Sequence, residues 1–278
     1  MPTIGEALAA ARVRIGSVDA RVLLRHVLAC PATRLITAAD LALDEEALGR
    51  YQTLVDRREA GEPVAYLVGE REFYGRSFRV TPAVLIPRPE TELLVELAIA
   101  VCSERRQPRI LDLGTGSGAI AITLAMELAD ASVCGVDRSR EALWVAMANA
   151  ANLGASVSFV ESDWFALLGR EPFDLIVANP PYVAAADPHL GQGDVRFEPR
   201  GALAAGPEGL DDLDRIIADA PRFLDSGGWL LLEHGYDQSA AVRARLLDAG
   251  FTDVESWKDL AGIERVSGGR RHIPAGEA

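Results

Sequence analysis

RILDLGTGSG, residues 109–118, is the stretch that decides the fold of this chain. Residues 110–113 form an apolar run broken only by Asp112, which predicts a short buried strand. The glycines at 114, 116 and 118 follow, and glycines directly after a strand let the backbone approach a ligand closely. An apolar helical pattern continues over 119–128. The stretch therefore predicts a strand–loop–helix unit that opens an α/β domain.

The alternation of strand and helix continues to the end of the chain. We predict strands over 109–113, 133–137, 157–160, 173–177 and 229–233, and helices over 119–128, 139–150, 210–224 and 239–249. Two further runs, 251–254 and 264–268, are interpreted as closing strands. This alternation is typical of a mostly parallel sheet with helices on both faces.

The residues before this pattern differ in character. Residues 3–60 have helical patterns, with Ser17 and Asp44 as predicted N-caps and Gly61 as a stop. Short alternating runs on both sides of Gly75 predict a β-hairpin. We therefore predict a helical domain at 1–68, a hairpin linker at 69–88 and the α/β domain at 89–278.

Composition and charge disfavour several classes of protein. Of 278 residues, 49% are hydrophobic and 25% are charged, which suffices for a buried core. The net charge of −13 disfavours a nucleic-acid backbone as a partner. The three cysteines are scattered, which suits the reduced cytoplasm and argues against a metal site. The sequence contains neither a secretory signal pattern nor an apolar run of the roughly 20 residues that cross a bilayer.

The notable polar motifs all follow predicted strands, where open parallel sheets bind their ligands. Dinucleotide binding favours the pattern G-x-G-x-x-G, whereas this loop is G-T-G-S-G and Asp112 precedes it. An acid beside the loop would repel a pyrophosphate but suits a cationic ligand. Asp137 ends the second strand, where an acid can hold ribose hydroxyls, and Trp164 can stack on an adenine.

S-adenosylmethionine carries a ribose, an adenine and positive charge, so this cofactor fits these residues. Asp112 would either lie near the amino-acid end of the cofactor or order the loop. The predicted cofactor-binding residues are Gly114, Thr115, Gly116, Ser117, Gly118, Asp137, Trp164 and Asn179.

The fourth strand ends in N-P-P-Y, residues 179–182. The side-chain oxygen of Asn179 and the carbonyl of Pro180 are two acceptors on a stiff backbone, and Tyr182 offers a flat ring. We interpret this as a clamp for a planar NH2 group, with a proline-rich turn that merely caps the strand as the alternative. Arg88 and Glu90 lie between prolines at the start of another predicted helix and are candidates for the edge of a pocket.

The loop at 111–118 with Asp137 resembles class I methyltransferases, and N-P-P-Y resembles the subset that methylates amino groups of adenine or glutamine. Three more stretches, at 73–75, 86–92 and 197–199, make the whole chain similar to the release factor glutamine N5-methyltransferase (PrmC/HemK) family. The resemblance implies a Rossmann-like domain with a seven-stranded sheet and S-adenosyl-L-methionine as cofactor. It also implies that the helical domain docks the substrate, a bacterial class 1 peptide chain release factor.

The chemistry of the motif residues suggests a role for each of them. Asn179, Pro180 and Tyr182 are expected to be catalytic, and the same residues with Pro181, Arg88 and Glu90 to bind the substrate glutamine. We expect a monomer without metal, direct nucleic-acid contact or membrane contact. The alternatives are a ribosomal-protein glutamine methyltransferase, an adenine N6-methyltransferase acting on nucleic acid and a non-enzymatic module that binds S-adenosylmethionine.

Overall fold

The structure, a computed structural model, describes residues 1–169 and 171–272. These residues divide into two compact units. The first contains Met1–Glu70 and the separate segment Gln192–Phe197, and the second contains Arg71–Gly191 and the described residues from Glu198 onward. The described residues include no helix that is long and apolar enough to cross a membrane.

The first unit is helical. Its helices are α1 (Ile4–Ile15), α2 (Ser17–Leu28), α3 (Ala32–Thr37), α4 (Glu45–Glu59) and α5 (Val64–Val68). Tyr51 is buried among them and donates from its hydroxyl to the carbonyl of Ala20 at 3.0 Å. Asp44 caps α4 through the N–H of Ala47, as predicted. The prediction for Ser17 is wrong, because Ser17 is the first residue of α2 and the N-cap is Gly16.

The predicted hairpin consists of β1 (Glu70–Phe73) and β2 (Arg76–Arg79), and all of it after Glu70 belongs to the second unit. Tyr74 and Gly75 connect the strands with φ angles of 52° and 71°, a left-handed pair that suits a tight hairpin turn. Phe73 and Phe78 are buried in the same core as the sheet, with their ring centroids 6.0 Å apart. The hairpin is therefore packed into the second unit.

A seven-stranded sheet forms the centre of the second unit, as the resemblance implied. Its strands are β3 (Arg109–Leu113), β4 (Ser132–Asp137), β5 (Ser158–Glu161), β6 (Phe173–Ala178), β7 (Leu224–Glu233), β8 (Phe251–Lys258) and β9 (Glu264–Arg271). The order is β5-β4-β3-β6-β7-β9-β8, with β9 antiparallel to both β7 and β8. The other pairings are parallel, so β3, β4, β6 and β7 end at the same edge.

Two apolar cores lie in this unit. The helices are α6 (Glu92–Cys102), α7 (Ala119–Glu127), α8 (Arg140–Leu153), α9 (Asp211–Asp219) and α10 (Ser239–Asp248). Ile110 and Leu175 belong to the core with α6 and α7, whereas their neighbours Leu111 and Ile176 belong to the core with α9 and α10. Successive strand residues point to opposite faces, so the sheet is covered on both sides.

The largest differences from the predicted boundaries are at α9 and β7, and β8 and β9 also extend to Lys258 and Arg271, beyond the predicted ends at 254 and 268. Helix α9 ends at Asp219 instead of 224, and a 3-10 turn at Ala220–Arg222 replaces its last part. Pro221 lacks the N–H that an α-helix needs at that position. Strand β7 then begins at Leu224, five residues before the predicted start at 229.

Candidate active site

A cavity opens at the edge where β3, β4 and β6 end. It is lined by most of the predicted site residues, namely Gly114, Thr115, Gly116, Ser117, Asp137, Trp164, Asn179, Pro181 and Arg88. Other lining residues include Phe73, Thr91, Arg138, Asp163 and Pro199. Four predicted residues lie outside the lining: Gly118, Pro180, Tyr182 and Glu90.

Asp112, near the end of β3, is hydrogen-bonded to the glycine loop and to the first turn of α7. This side chain is fully buried, and its Oδ2 accepts from the Thr115 hydroxyl at 2.6 Å and from the N–H of Ala121 at 3.2 Å. Burial raises the pKa of Asp112 to about 7, although both hydrogen bonds lower it. Of the two roles considered for Asp112, the contacts correspond to ordering the loop. Gly118 packs against α8, since a Cβ there would lie 3.2 Å from that of Ala146.

Asp137 joins the loop after β3 to the end of β4. Its Oδ2 accepts from the N–H of Gly116 at 2.9 Å and its Oδ1 from the N–H of Ser139 at 2.8 Å. Burial raises the pKa of Asp137, and the hydrogen bonds from Ser139 and Gly116 lower it. Each carboxylate oxygen has a second lone pair, so Asp137 can still accept hydrogen bonds from hydroxyl groups in the cavity.

Trp164 covers another wall of the cavity. Its backbone is left-handed, with φ of 49°, and its indole N–H donates to Asp212 Oδ1 at 3.2 Å. Its ring lies so close to Gly114 that a Cβ on that glycine would be 3.3 Å from the ring. This contact fixes a flat aromatic surface beside the loop.

The N-P-P-Y segment follows β6. The Nδ2 of Asn179 donates to the Thr91 hydroxyl at 3.1 Å, and its Oδ1 makes no hydrogen bond within residues 1–169 and 171–272. The hydroxyl of Tyr182 donates to Glu233 Oε1 at 3.3 Å. Burial and the charge of Glu233 raise the pKa of Tyr182, so this hydroxyl stays protonated. Gln238 donates to the Tyr182 carbonyl at 3.0 Å, which fixes the backbone after the clamp.

Arg88 and Glu90 have different surroundings. Arg88 forms an ion pair with Glu198, a carboxylate that is 6% exposed and also accepts from the N–H of Ile86 at 3.0 Å. Glu90 is exposed. Glu198 thus joins the segments at 86–88 and 197–199, two stretches that carried the family resemblance.

Three side chains near the clamp were not predicted as site residues: Thr91, Glu198 and Glu233. Thr91 and Glu198 belong to stretches quoted for the resemblance, but only their neighbours were singled out. Glu233 is an acid at the carboxyl end of β7, the strand beside β6, and that position was the available signal. Across the described ranges, His, Cys, Asp and Glu form no group that could hold a metal ion.

Two family profiles match the sequence. The profile described as "PrmC N-terminal domain" matches residues 4–69, and the one described as "Methyltransferase small domain" matches residues 90–193. Their matches fall on the helical segment and on the segment that contains the glycine loop and N-P-P-Y.

Curated relatives match over most of the chain. A "Release factor glutamine methyltransferase" of Burkholderia pseudomallei is 54% identical over 265 residues, which cover 92% of this chain and 92% of that protein. A relative of the same name from Xylella fastidiosa is 49% identical and covers 97% of this chain and 98% of its own.

Solved structures share the fold at lower identity. A 16S rRNA methyltransferase of T. thermophilus, in complex with AdoMet and guanosine, superposes with a TM-score of 0.56 and 21% identity. The superposition covers 73% of this chain and 50% of that one. At this identity the likeness shows the fold alone.

Proposed function

The chain belongs to the family of release factor glutamine methyltransferases, and we propose that it methylates N5 of the glutamine in the Gly-Gly-Gln motif of bacterial class 1 release factors. The names of relatives that are about half identical over nearly the full length support this substrate. The main structural support for the proposal is that one cavity contains both predicted binding regions. This cavity joins the glycine loop to Asn179, whose side-chain oxygen can accept a hydrogen bond from an amide.

The residues around the cavity fit S-adenosyl-L-methionine as the methyl donor. We assign the ribose hydroxyls to Asp137, whose oxygens keep lone pairs available, and the adenine to Trp164, whose ring is fixed beside Gly114. The backbone of the loop from Gly114 to Gly118 would approach the remainder of the cofactor. When bound, S-adenosyl-L-methionine supplies an electrophilic methyl group.

We assign the substrate amide to Asn179 and Pro180. The Oδ1 of Asn179 and the carbonyl of Pro180 would accept the two amide hydrogens, and the rigid proline segment would hold both acceptors in place. An amide nitrogen is a weak nucleophile, and orienting it can contribute roughly 7–11 kcal/mol. The two acceptors also stabilise the positive charge that develops on the nitrogen during transfer. They would therefore bind the transition state more strongly than the substrate.

Tyr182 and Arg88 complete the substrate side in this proposal. Tyr182 packs beside the clamp with its hydroxyl held by Glu233. Arg88 is fixed by Glu198 and, with Pro181, lines the cavity where the glutamine side chain would enter. Glu90 is exposed and is assigned to the protein surface that meets the release factor.

We assign docking of the release factor to the helical unit, which carries the match to the PrmC N-terminal domain. A release factor works in translation, so the proposed substrate implies action in the cytoplasm. The acidic net charge of −13 supports a protein substrate over duplex nucleic acid.

A methyl-transfer assay with radiolabelled cofactor tests the proposed function. A release factor, a ribosomal protein and duplex DNA are each offered to the protein at the same concentration. We expect label on the release factor alone. Label on DNA at a comparable rate would support the adenine-methyltransferase alternative, and binding of the cofactor without transfer would support the non-enzymatic one.

A further inference from the structure

Gln238 occupies the N-cap position of α10, but its side chain does not cap that helix. The usual capping residues are Ser, Thr, Asp and Asn, whose short side chains reach the free N–H groups of the first turn. Gln238 is 8% exposed, and a buried amide costs stability unless its hydrogen bonds are satisfied. This side chain makes its hydrogen bonds away from its own helix.

The amide of Gln238 is hydrogen-bonded to backbone groups at both ends. Its Oε1 accepts from the N–H of Gly235 at 2.9 Å. Its Nε2 donates to the carbonyl of Tyr182 at 3.0 Å, and lies 3.3 and 3.4 Å from the carbonyl oxygens of Gly209 and Glu208. An NH2 group has two hydrogens for these acceptors, and the bond to Tyr182 is the shortest.

The backbone partners fix the direction in which the amide of Gln238 faces. A backbone N–H can only donate, and a carbonyl can only accept. The atom that faces Gly235 must therefore be the oxygen, and the group that faces Tyr182 must be the NH2. A half-turn of the amide would set two donors against each other at one end and acceptors against each other at the other. The donation to Tyr182 therefore follows from the geometry.

Tyr182 is held at two points by the segment that begins at the end of β7. Gln238 holds its carbonyl, and Glu233, the last residue of β7, accepts from its hydroxyl at 3.3 Å. The backbone around the carbonyl is also tightly packed, since a Cβ on Gly209 would lie 2.3 Å from the carbonyl oxygen of Tyr182. The end of the N-P-P-Y segment therefore has little freedom to move.

The chain between Pro180 and Tyr182 is short and stiff. Proline rings fix φ at positions 180 and 181, and the peptide units are planar. The direction of the Pro180 carbonyl therefore depends on how the chain is anchored on either side. The Nδ2 of Asn179 donates to Thr91 on one side, and Gln238 holds the carbonyl of Tyr182 on the other.

We propose that Gln238 is a positioning residue, which holds the carbonyl of Tyr182 and thereby keeps the carbonyl of Pro180 directed at the amide that is methylated. The inference rests on the proposed transfer to a glutamine amide. Gln238 lies outside the cavity lining, so it acts through the backbone of the clamp and not on the reacting atoms. Its loss should therefore lower the rate of transfer and leave cofactor binding intact.

The test compares two substitutions. Gln238→Glu keeps the length of the side chain and the oxygen that faces Gly235, but it sets a second oxygen against the carbonyl of Tyr182. Gln238→Met is neutral and similar in length, and it removes both hydrogen bonds. We expect each substitution to lower kcat for a release factor about 10²-fold, the effect of displacing a reacting group. The KM for the release factor should stay unchanged, because a group that acts in the transition state lowers kcat without weakening substrate binding.

Two measurements separate positioning from a merely structural role. Titration calorimetry gives the affinity for S-adenosylmethionine and the fraction of molecules that bind it, so kcat is expressed per cofactor-binding molecule. Gln107→Glu is the matched control, because it makes the same chemical change at an exposed residue that precedes β3, whereas the cavity lies where β3 ends. The control should keep the wild-type kcat, and all variants should keep the wild-type affinity for the cofactor.

A wild-type kcat per cofactor-binding molecule in Gln238→Met would overturn the proposal. A wild-type kcat in Gln238→Glu would also overturn it, since the bond to Gly235 alone would then suffice. The same holds for an effect confined to KM, or for an equal loss of kcat in Gln107→Glu. If Gln238→Glu does not fold, the neutral Gln238→Met decides by itself. A wild-type protein that leaves the release factor unmethylated would contradict the proposed function instead.

Discussion

The carboxylate of Asp137 accepts a hydrogen bond from the N–H of Gly116 at 2.9 Å, so the end of β4 holds the loop that follows β3. Asp137→Ala removes both this support and the acceptor assigned to the ribose. We expect the affinity for S-adenosylmethionine to fall by about 1.5–3 kcal/mol, the range for a hydrogen bond to a charged group. Titration calorimetry on the folded variant measures this affinity, and an unchanged affinity would show that Asp137 does not bind the cofactor.

Gly114 offers a test with a matched control. Gly114 and Gly154 have φ angles of 73° and 69°, so alanine at either position should cost about 1–2 kcal/mol of folding stability. Only at Gly114 would the new Cβ press on Trp164, whereas at Gly154 nothing lies within 4 Å. Gly114→Ala should therefore weaken cofactor binding about tenfold, or ~1.4 kcal/mol, and Gly154→Ala should leave it unchanged. Equal affinities in the two variants would contradict the assigned role of Trp164.

The titration of Glu233 should appear in the stability of the protein. Burial raises its pKa from 4.5 to about 7, an effect that Glu90 adds to and that Thr91, Tyr182 and Arg265 oppose. A raised carboxyl pKa gives a stabilising contribution that is complete below the unfolded pKa and is lost as the pH rises through the folded pKa.

Glu233→Gln has no carboxyl at this position, so its stability does not fall over this pH range. The free energy of unfolding of the variant minus that of the wild type should therefore increase by up to about 3 kcal/mol from pH 4 to pH 8, as measured by urea denaturation. Asp112, with a pKa also raised to about 7, remains in both proteins and cancels in the comparison. A difference that does not change with pH would show that Glu233 titrates normally.

The division of labour between the units can be tested by truncation. Phe73 and Phe78 are buried in the core of the second unit, so the cut must precede the hairpin, and a chain that starts at Gly69 meets this condition. We expect that chain to bind S-adenosylmethionine with the affinity of the full chain but to methylate a release factor with a much lower kcat/KM. Full activity would show that the helical unit is dispensable for docking.

The sequence predicted β3 and β6 well because each is a short, mostly apolar run that is buried in the sheet. It missed the end of α9, where the prohibition on Pro221 inside a helix outweighed the apolar pattern. The segment Gln192–Phe197 belongs to the helical unit, and Asp194 in it pairs with Arg58 at 2.6 Å. A contact across so many residues leaves no periodic signal in the sequence.

For the candidate site too, the sequence predicted contiguous motifs but not contacts between distant residues. The glycine loop, Asp137 and N-P-P-Y could be predicted because each motif is contiguous and follows a strand. Thr91 and Asn179 are 88 residues apart, and only the folded chain brings the hydroxyl to the amide. Glu233 depends in the same way on the pairing of β7 with β6. The motifs therefore predicted many of the residues that line the cavity, and the structure added the side chains that contact them from other parts of the chain.

The most direct test of the central claim is peptide-mapping mass spectrometry of a release factor after incubation with the protein and S-adenosylmethionine. In the proposed function Asn179 and Pro180 accept hydrogen bonds from an amide, and such a site can reject a group without those hydrogens by roughly 10⁴–10⁵-fold. We predict a single methyl group on the glutamine of the Gly-Gly-Gln motif, and none on a release factor with glutamate there or with the Asn179→Ala enzyme. An unmodified glutamine, or equal methylation of the glutamate variant, would contradict the account.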